Sequence, residues 1–200
     1  ISLTVGDPDA AFEKAEVVIE QTYSVPMCHQ GYIEPHACVA RADAAGRVEL
    51  WCCTQGHFTV RHYTSAVTGI DLGKIKVTAS EIGGGFGGKT TVYLEPLAVI
   101  LAQKSGRPGK MVMDRGDVFR ATGPAPGAET RVKLGATQDG KLVAADVECL
   151  MDSGAYNGNP AGIPAFMATA CYQLTDARST GRSVYTNKPK IHAYRAPSIP

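Results

Sequence analysis

The sequence lacks several features that would assign it to a common functional class. None of its six cysteines forms a C-x-x-C pair, which argues against a zinc ribbon or an iron–sulfur cluster within these residues. No apolar run approaches the ~20 residues that a membrane helix needs. The 20 basic and 19 acidic side chains leave a net charge of +1, so a broad basic surface for nucleic acid is not expected.

What remains is the composition of an ordinary globular domain. The chain has 200 residues, 44% of them hydrophobic and 20% charged, and can bury a sizeable core. We expect the cysteines to be small buried residues in a reducing cytosol, without a disulfide framework. The sequence begins with Ile1 and closes without a clear stop signal, so we expect a piece of a longer polypeptide. A weak internal boundary is predicted at residues 106–110.

Local patterns predict helices and strands without a regular βαβ repeat. The predicted helices cover residues 7–15, 58–67, 92–102 and 165–172. The predicted strands cover residues 17–23, 37–42, 48–54, 74–79, 110–113, 129–134, 141–151, 182–185 and 191–194. Residues 116–126 read as a loop with one helical turn, and residues 152–164 as irregular. The mixture predicts an α+β fold with mixed sheets and packed helices.

A glycine cluster, GGGFGGKT at residues 83–90, matches the phosphate-loop pattern G-x-x-x-x-G-K-[ST]. Glycine amides can approach an anion closely, and a following helix would add its dipole. Against this, Phe86 puts a bulky ring at the tip, and the best candidate for a magnesium-binding strand, residues 111–114, is short. Residue chemistry alone leaves three interpretations open: a phosphate or dinucleotide site, another anion or cofactor site, or a packing turn.

Four segments together resemble the molybdenum hydroxylases of the xanthine dehydrogenase/aldehyde oxidase family. They are HQGYIEPHA at residues 29–37, TQG at 54–56, EIGGGFGGK at 81–89, and YTNK at 185–188 with AYRAP at 193–197. Each is weak alone, but they follow the family's order and span most of the chain. The resemblance implies that residues 1–200 are part of a molybdopterin-binding domain in the large subunit.

The resemblance implies a role for five residues around the cofactor. Gln55 would donate a hydrogen bond to an oxo ligand of molybdenum through its uncharged amide. The amides of Gly85 and Gly87 would face cofactor oxygens, with Phe86 between them near the metal. Arg195 would offer guanidinium donors to substrate or cofactor. Gln55, Phe86 and Arg195 would thus lie near molybdenum without ligating it.

A substrate pocket is implied at Phe86, Thr90 and Tyr194. Xanthine-oxidising members carry a glutamate where this chain has Thr90, and their second pocket phenylalanine falls at Pro197. Their substrate arginine is replaced within residues 122–126, and Ala196 stands where carbon monoxide dehydrogenases carry a cysteine. A purine would leave polar groups unpaired here, so we expect an aldehyde, an N-heterocycle or an aryl thioester as the substrate class.

The resemblance further implies an oxidoreductase that uses water as its oxygen source. Its cofactor would be molybdenum–molybdopterin in a dinucleotide form, and electrons would pass through iron–sulfur clusters to a flavin (FAD) or another acceptor on other domains or subunits. Partners would be an iron–sulfur subunit or domain, a flavin subunit and a small organic molecule, with no nucleic acid, in a cytoplasmic protein. The family's general-base glutamate lies C-terminal to this sequence, so these 200 residues alone should be inactive.

Two other functions stay open at this point. A phosphate-loop nucleotide hydrolase would use Lys89 to hold phosphates. A catalytically inert scaffold fragment would use none of these residues. Glu34 is expected to be a structural carboxylate, and the five histidines show no shared metal-ligand spacing.

Overall fold

The computed structural model describes residues 1–195 and divides the chain into two compact units. The first unit comprises residues 1–28 and 124–191, and the second comprises residues 29–123 and 192–195. Residues 106–110, the predicted weak boundary, lie inside the second unit, where residues 106–108 connect a helix to a strand that begins at Gly109. Each unit combines a mixed sheet with helices, so the predicted α+β class is confirmed.

The first unit is built on a five-stranded sheet with the order β1-β9-β8-β7-β2. Its strands are β1 (Ser2–Val5), β2 (Val17–Val25), β7 (Ala128–Ala136), β8 (Leu142–Gly154) and β9 (Ala177–Tyr185). Only β8 and β9 pair in parallel. Helix α1 (Pro8–Lys14) packs against β8, and α5 (Gly162–Met167) packs against β9.

The second unit is built on a four-stranded sheet with the order β5-β4-β3-β6. Its strands are β3 (Ala37–Ala42), β4 (Val48–Cys52), β5 (Ile75–Ala79) and β6 (Gly109–Val112), of which β4 and β5 are parallel. Its helices are α2 (His57–Thr68), α3 (Glu95–Ser105) and α4 (Arg115–Ala121), with a 3-10 turn at Leu72–Lys74.

The core of the second unit lies between its sheet and α3. Strand residues Ala40 and Leu50 and helix residues Ala98 and Val99 are fully buried there. Small alanines allow the helix to approach the strands closely, and burial of the larger aliphatic side chains contributes roughly 1.5–3 kcal/mol each. Helix α3 contacts β4, and the residues after β4 are hydrogen-bonded to the segment before α3. That segment contains the glycine cluster.

Local sequence signals set several helix ends as predicted. Asp7 caps α1 by accepting a hydrogen bond from the Ala10 N–H, and Pro8 occupies the first turn. Helix α2 ends at Gly69, whose φ of 74° is the left-handed conformation that favours glycine. Strands β2, β3, β5, β6, β7 and β8 also lie close to their predicted spans.

Other predicted boundaries were wrong. Helix α3 begins at Glu95 and not at residue 92, because Pro96 lacks an N–H and fits only the first turn. Residues 116–126 were predicted as a loop with one helical turn, but α4 extends into them from Arg115 to Ala121, and a capping box between Asp114 and Asp117 initiates it. Helix α5 covers Gly162–Met167 in place of residues 165–172, and β4 ends at Cys52.

Long-range pairing accounts for the remaining differences. Strand β1, which was not predicted, pairs with β9 so that Ser2 lies opposite Thr180. The same sheet extends β9 back to Ala177, well before the predicted residue 182. Residues 191–194 were predicted as a strand but form none. Among the described helices, none combines the length and apolar character needed to cross a membrane.

Candidate functional site

The glycine loop, residues 83–90, contains a tight turn with Phe86 at its tip. The Gly88 N–H donates to the Gly85 carbonyl at 2.7 Å, and φ is 48° at Phe86 and 96° at Gly87. Two positive φ values in succession define a type I′ turn. Phe86 is the only non-glycine residue within 1–195 with positive φ, at a cost of about 1–2 kcal/mol. Its ring is 44% exposed, so burial offsets little of this strain, which is the pattern of a functional loop.

Gln55 follows β4 and binds this turn through its side chain. Its Oε1 accepts hydrogen bonds from the N–H groups of Gly87 at 2.9 Å and Lys89 at 3.2 Å. Its own backbone N–H donates to the Lys89 carbonyl at 2.9 Å. Because Oε1 takes two donors, the amide orientation is fixed, and the Nε2 group keeps its two N–H donors for another partner. The donor role of Gln55 toward an oxo group stays a prediction, whereas the Gly87 N–H, which was predicted to face cofactor oxygens, donates to Gln55 instead.

Two glycines make the close approach at this turn possible. A Cβ on Gly85 would lie 2.5 Å from Oε1 of Gln55, and a Cβ on Gly87 would lie 2.6 Å from the Ala193 carbonyl oxygen. Either distance is shorter than real Cβ contacts allow. The loop thus needs glycine at these two positions because the Gln55 side chain and the Ala193 backbone lie in close contact with it.

The segment at residues 192–195, which contains Ala193 and Arg195, is also hydrogen-bonded to the loop. The Arg195 N–H donates to the Phe86 carbonyl at 2.8 Å. Gln30, which is 4% exposed, donates from Nε2 to the carbonyls of Ala193 at 2.8 Å and Gly123 at 3.0 Å. Gln30 was not predicted as a residue that organises the site. Its position inside the segment at residues 29–37 was the one available signal.

The predicted pocket residues have different surroundings. The Thr90 hydroxyl donates to the Gly87 carbonyl at 3.0 Å and lies 3.5 Å from Nδ1 of His192. Tyr194 is adjacent to Arg195, and 43% of its surface is exposed. Gln55, Phe86, Thr90 and Arg195 are therefore brought together by direct bonds to one turn. The predictions for Ala196 and Pro197 concern residues outside the described range.

Lys89 points away from the turn and into the protein. Its side chain is completely buried, with Nζ 2.6 Å from Oε2 of Glu34 and 5.0 Å from the centre of the Tyr32 ring. The loop also fails to open a helix, because α3 begins five positions after Thr90, at Glu95. A phosphate loop needs an accessible lysine and a helix N-terminus beside the anion. The geometry gives the nucleotide-hydrolase alternative no support.

The groups behind the loop are mostly neutral. Burial, assisted by the charge of Lys89, lowers the pKa of His36 to about 4, and its Nε2 lies 2.8 Å from the Tyr32 hydroxyl. Burial also raises the pKa of Tyr93 to about 12. Partial burial raises the pKa of Glu34, but hydrogen bonds from Lys89 and Gly83 outweigh it and hold the pKa below its usual value. At neutral pH the Glu34 side chain is thus a carboxylate, and its partner Lys89 lies against the Tyr32 ring.

The face of the loop offers hydrogen-bond donors. Within residues 1–195, the N–H groups of Gly84, Gly85 and Phe86 donate to no acceptor. The Nε2 group of Gln55 adds two further N–H donors, and Arg195, whose backbone N–H binds the Phe86 carbonyl, has an exposed side chain. The described residues contain no group of three or more His, Cys, Asp or Glu side chains arranged to hold a metal ion. The donor set therefore fits an anionic cofactor that carries its own metal, such as a pterin with a phosphate group and a metal with oxo ligands. The N–H groups could donate to the phosphate oxygens and to the oxo ligands.

Comparison with known proteins decides the family. A family model described as the molybdopterin cofactor-binding domain matches residues 1–200. The chain belongs to this family. It is 30% identical over 201 residues to the nicotinate dehydrogenase large molybdopterin subunit of Eubacterium barkeri, covering 99% of this chain and 47% of the relative. It is 34% identical over 187 residues to the carbon monoxide dehydrogenase large chain of Afipia carboxidovorans, covering 90% of this chain and 23% of the relative.

Solved structures of the molybdopterin cofactor-binding family share the fold. The crystal structure of quinoline 2-oxidoreductase from Pseudomonas putida 86 superposes with a TM-score of 0.87 at 25% identity, covering 99% of this chain and 26% of that one. The predicted fold type and family resemblance are both confirmed. The chain spans about half, or less, of the length of the curated relatives it matches.

Proposed function

We propose that this molybdopterin cofactor-binding domain is part of the catalytic subunit of a molybdenum hydroxylase. The subunit oxidises an aldehyde, an N-heterocycle or an aryl thioester, takes the oxygen from water and passes electrons to iron–sulfur clusters. When bound, the molybdenum–molybdopterin group supplies the redox sink for the two electrons removed from the substrate. The nicotinate dehydrogenase and quinoline oxidoreductase names of similar proteins support an N-heterocycle among these classes.

The convergence of Gln55, Phe86 and Arg195 on one turn is the observation that carries the proposal. Gln55 would donate from Nε2 to an oxo group, since its Oε1 is already held by the loop. The free N–H groups of Gly85 and Phe86 would bind cofactor oxygens, and the Gly87 N–H would hold Gln55 in place. These residues bind and orient the cofactor, and the general base is expected on a segment C-terminal to Pro200.

The substrate pocket would be formed by Phe86, Thr90 and Tyr194. Thr90 uses its hydroxyl within the protein, so it offers a substrate less polar binding than a carboxylate would. The exposed rings of Phe86 and Tyr194 would form the walls of the pocket around a planar or apolar substrate. This composition supports a substrate with few hydrogen-bonding groups, and it argues against a purine.

The remaining features of the parent enzyme follow from the same proposal. The pterin would be a dinucleotide, and the electron acceptors would lie on an iron–sulfur subunit or domain and on a flavin subunit. The location would be a reducing cytoplasm, which is supported by the four buried thiols of Cys38, Cys52, Cys53 and Cys149. The expectation that all six cysteines are buried was wrong for Cys28 and Cys171, which are exposed. The isolated residues 1–200 would be inactive.

Molybdenum analysis of the full-length polypeptide with its partners tests the proposal. We expect about one molybdenum per polypeptide by elemental mass spectrometry, and turnover of N-heterocycles or aldehydes with an artificial electron acceptor. A full-length protein without molybdenum, produced in a host that assembles the cofactor, would refute the proposal. Such a result would favour the inert-scaffold alternative.

Gln55→Glu tests the residue assignment within that protein. Glutamate keeps an oxygen for the Gly87 and Lys89 amides but has no donor for an oxo group. We expect molybdenum content to stay near one while kcat/KM falls about 10- to 100-fold, the usual effect of losing an outer-shell partner of a metal. Gln103→Glu, the same change on the exposed surface of α3, is the matched control and should leave kcat/KM unchanged.

A further inference from the structure

The glycine loop is held at both ends by a single carboxylate oxygen. Oε2 of Glu34 accepts a hydrogen bond from the Gly83 N–H at 2.8 Å, where the loop begins, and from Nζ of Lys89 at 2.6 Å, where it ends. The Glu34 N–H also donates to the Gly83 carbonyl at 3.3 Å. A Cβ on Gly83 would lie 2.8 Å from Cβ of Glu34, so the backbones are in close contact.

Burial makes this attachment hard to break. Lys89 has no exposed side-chain surface, whereas Glu34 keeps 34% of its own. A buried ammonium group that loses its partner carries a large desolvation cost, so Lys89 cannot leave Glu34 without moving to solvent. The neighbouring groups do not replace the carboxylate, because the Tyr32 ring and the neutral His36 carry no negative charge.

Glu34 and Gln55 bind different parts of the glycine loop. Gln55 binds the N–H groups of Gly87 and Lys89 beside the tip, and Glu34 binds the two ends. Lys89 is common to both, through its backbone N–H and its side chain. A shift of the loop ends would therefore displace the Gly87 and Lys89 N–H groups from Gln55 and change the distance between the Phe86 turn and the Gln55 amide.

We propose that Glu34 is a positioning residue, which sets the distance between the Phe86 turn and the Gln55 amide by closing the glycine loop through Gly83 and Lys89. It does not touch the reacting atoms. The identity of the group that the positioned loop faces rests on the proposed function. The hydrogen bonds from Gly83 and Lys89 to Glu34 lie within this chain, and their role can be tested with or without a bound cofactor.

Hydrogen exchange of the full-length protein tests this inference. Glu34→Gln keeps an oxygen that can accept from the Gly83 N–H but leaves the buried Lys89 ammonium group without a negative charge beside it, so we expect the loop amides at residues 83–90 to exchange at least 10-fold faster. The β4 amides should change much less, because the core beneath them is unaltered. Glu20→Gln makes the same change in an exposed ion pair of the first unit, 3.2 Å from Arg131, and as the matched control should change neither region.

A double variant separates positioning from simple charge neutralisation. Glu34→Gln with Lys89→Met removes the unpaired buried charge, so we expect Tm to return toward that of the starting protein while loop exchange stays fast. In the holoenzyme, Glu34→Gln should lower kcat about 10-fold or more with a smaller change in KM.

Three results would overturn the inference. They are unchanged loop exchange in Glu34→Gln, equal acceleration in the loop and in β4, and recovery of slow loop exchange in the double variant. None depends on molybdenum, so a protein that lacked the metal would refute the proposed function and leave the exchange results to decide the role of Glu34.

Discussion

The N–H of Arg195 donates a 2.8 Å hydrogen bond to the carbonyl oxygen of Phe86. This bond joins the segment at residues 192–195 to the tip of the glycine loop, although the two are distant in sequence. The carbonyl that accepts it belongs to the residue with left-handed φ, so the strained turn is what presents this oxygen to Arg195.

Gly87→Ala should be more destabilising than the same change at another glycine with positive φ. At Gly87 the new methyl group would lie 2.6 Å from the Ala193 carbonyl, whereas at Gly46 it would meet nothing within 4 Å. Both substitutions strain the backbone by about 1–2 kcal/mol. We expect urea unfolding to show at least about 1 kcal/mol of additional loss for Gly87→Ala. Equal losses would show that the arginine segment does not press on the loop.

Phe86→Gly should leave the protein at least as stable as it is now, while reducing turnover. Glycine adopts φ of 48° freely, which relieves about 1–2 kcal/mol of strain and offsets the lost contacts of a partly exposed ring. Phe86→Val should instead lower Tm by several degrees, since a β-branched residue tolerates this conformation poorly. If Phe86→Gly lowered Tm more than Phe86→Val, the ring would be acting as core.

His36 should make the protein less stable as the pH falls from 7 to 5. Its folded pKa of about 4 lies below the ordinary histidine pKa of 6.5, so between these pH values the unfolded chain binds the extra proton. The loss begins as pH drops through 6.5, amounts to about 2 kcal/mol by pH 5, and stops growing below pH 4. The pKa of Glu34 is lowered too, but a carboxylate contributes chiefly below pH 4.5.

Urea unfolding at pH 7 and pH 5 checks the contribution of His36. His36→Gln cannot take up a proton, so its free energy of unfolding should change by about 2 kcal/mol less between the two pH values than that of the starting protein. An identical pH dependence in both proteins would mean that His36 is not held neutral.

Asp114→Ala should weaken α4 through the loss of its cap. Asp114 accepts from the Asp117 N–H at 2.7 Å, and Asp117 accepts from the Asp114 N–H at 3.2 Å. Removal of such a cap costs about 1 kcal/mol. The loss should appear in urea unfolding and as faster hydrogen exchange at Arg115–Ala121, with α3 unchanged as an internal reference. Unchanged exchange in α4 would contradict a capping role.

Part of this structure follows from local signals alone. Asp7 with Pro8 starts α1 and Gly69 ends α2, because capping and left-handed backbone depend on neighbouring residues. Helix α4 could have been predicted from Asp114 and Asp117, which form a variant of the usual capping box. The family could be predicted because four short segments appear in a fixed order, and each can be read without a structure.

Other features depend on partners that are remote in sequence. Strand β1 forms because it pairs with β9, where Ser2 lies opposite Thr180, and nothing near Ser2 in the sequence indicates a strand. The sequence also left Lys89 undecided between a phosphate ligand and a structural cation. Only the fold shows that it is buried against Glu34.

By itself, the sequence determined the α+β class, the family and the identity of the loop residues, because these are properties of composition, periodicity and motif order. The tertiary structure decided the φ of Phe86, the direction of Lys89, the bridging roles of Gln30 and Glu34, and the contact between Arg195 and the glycine loop. Each of these depends on hydrogen bonds and close packing between segments far apart along the chain, and local sequence carries no record of which segments will meet.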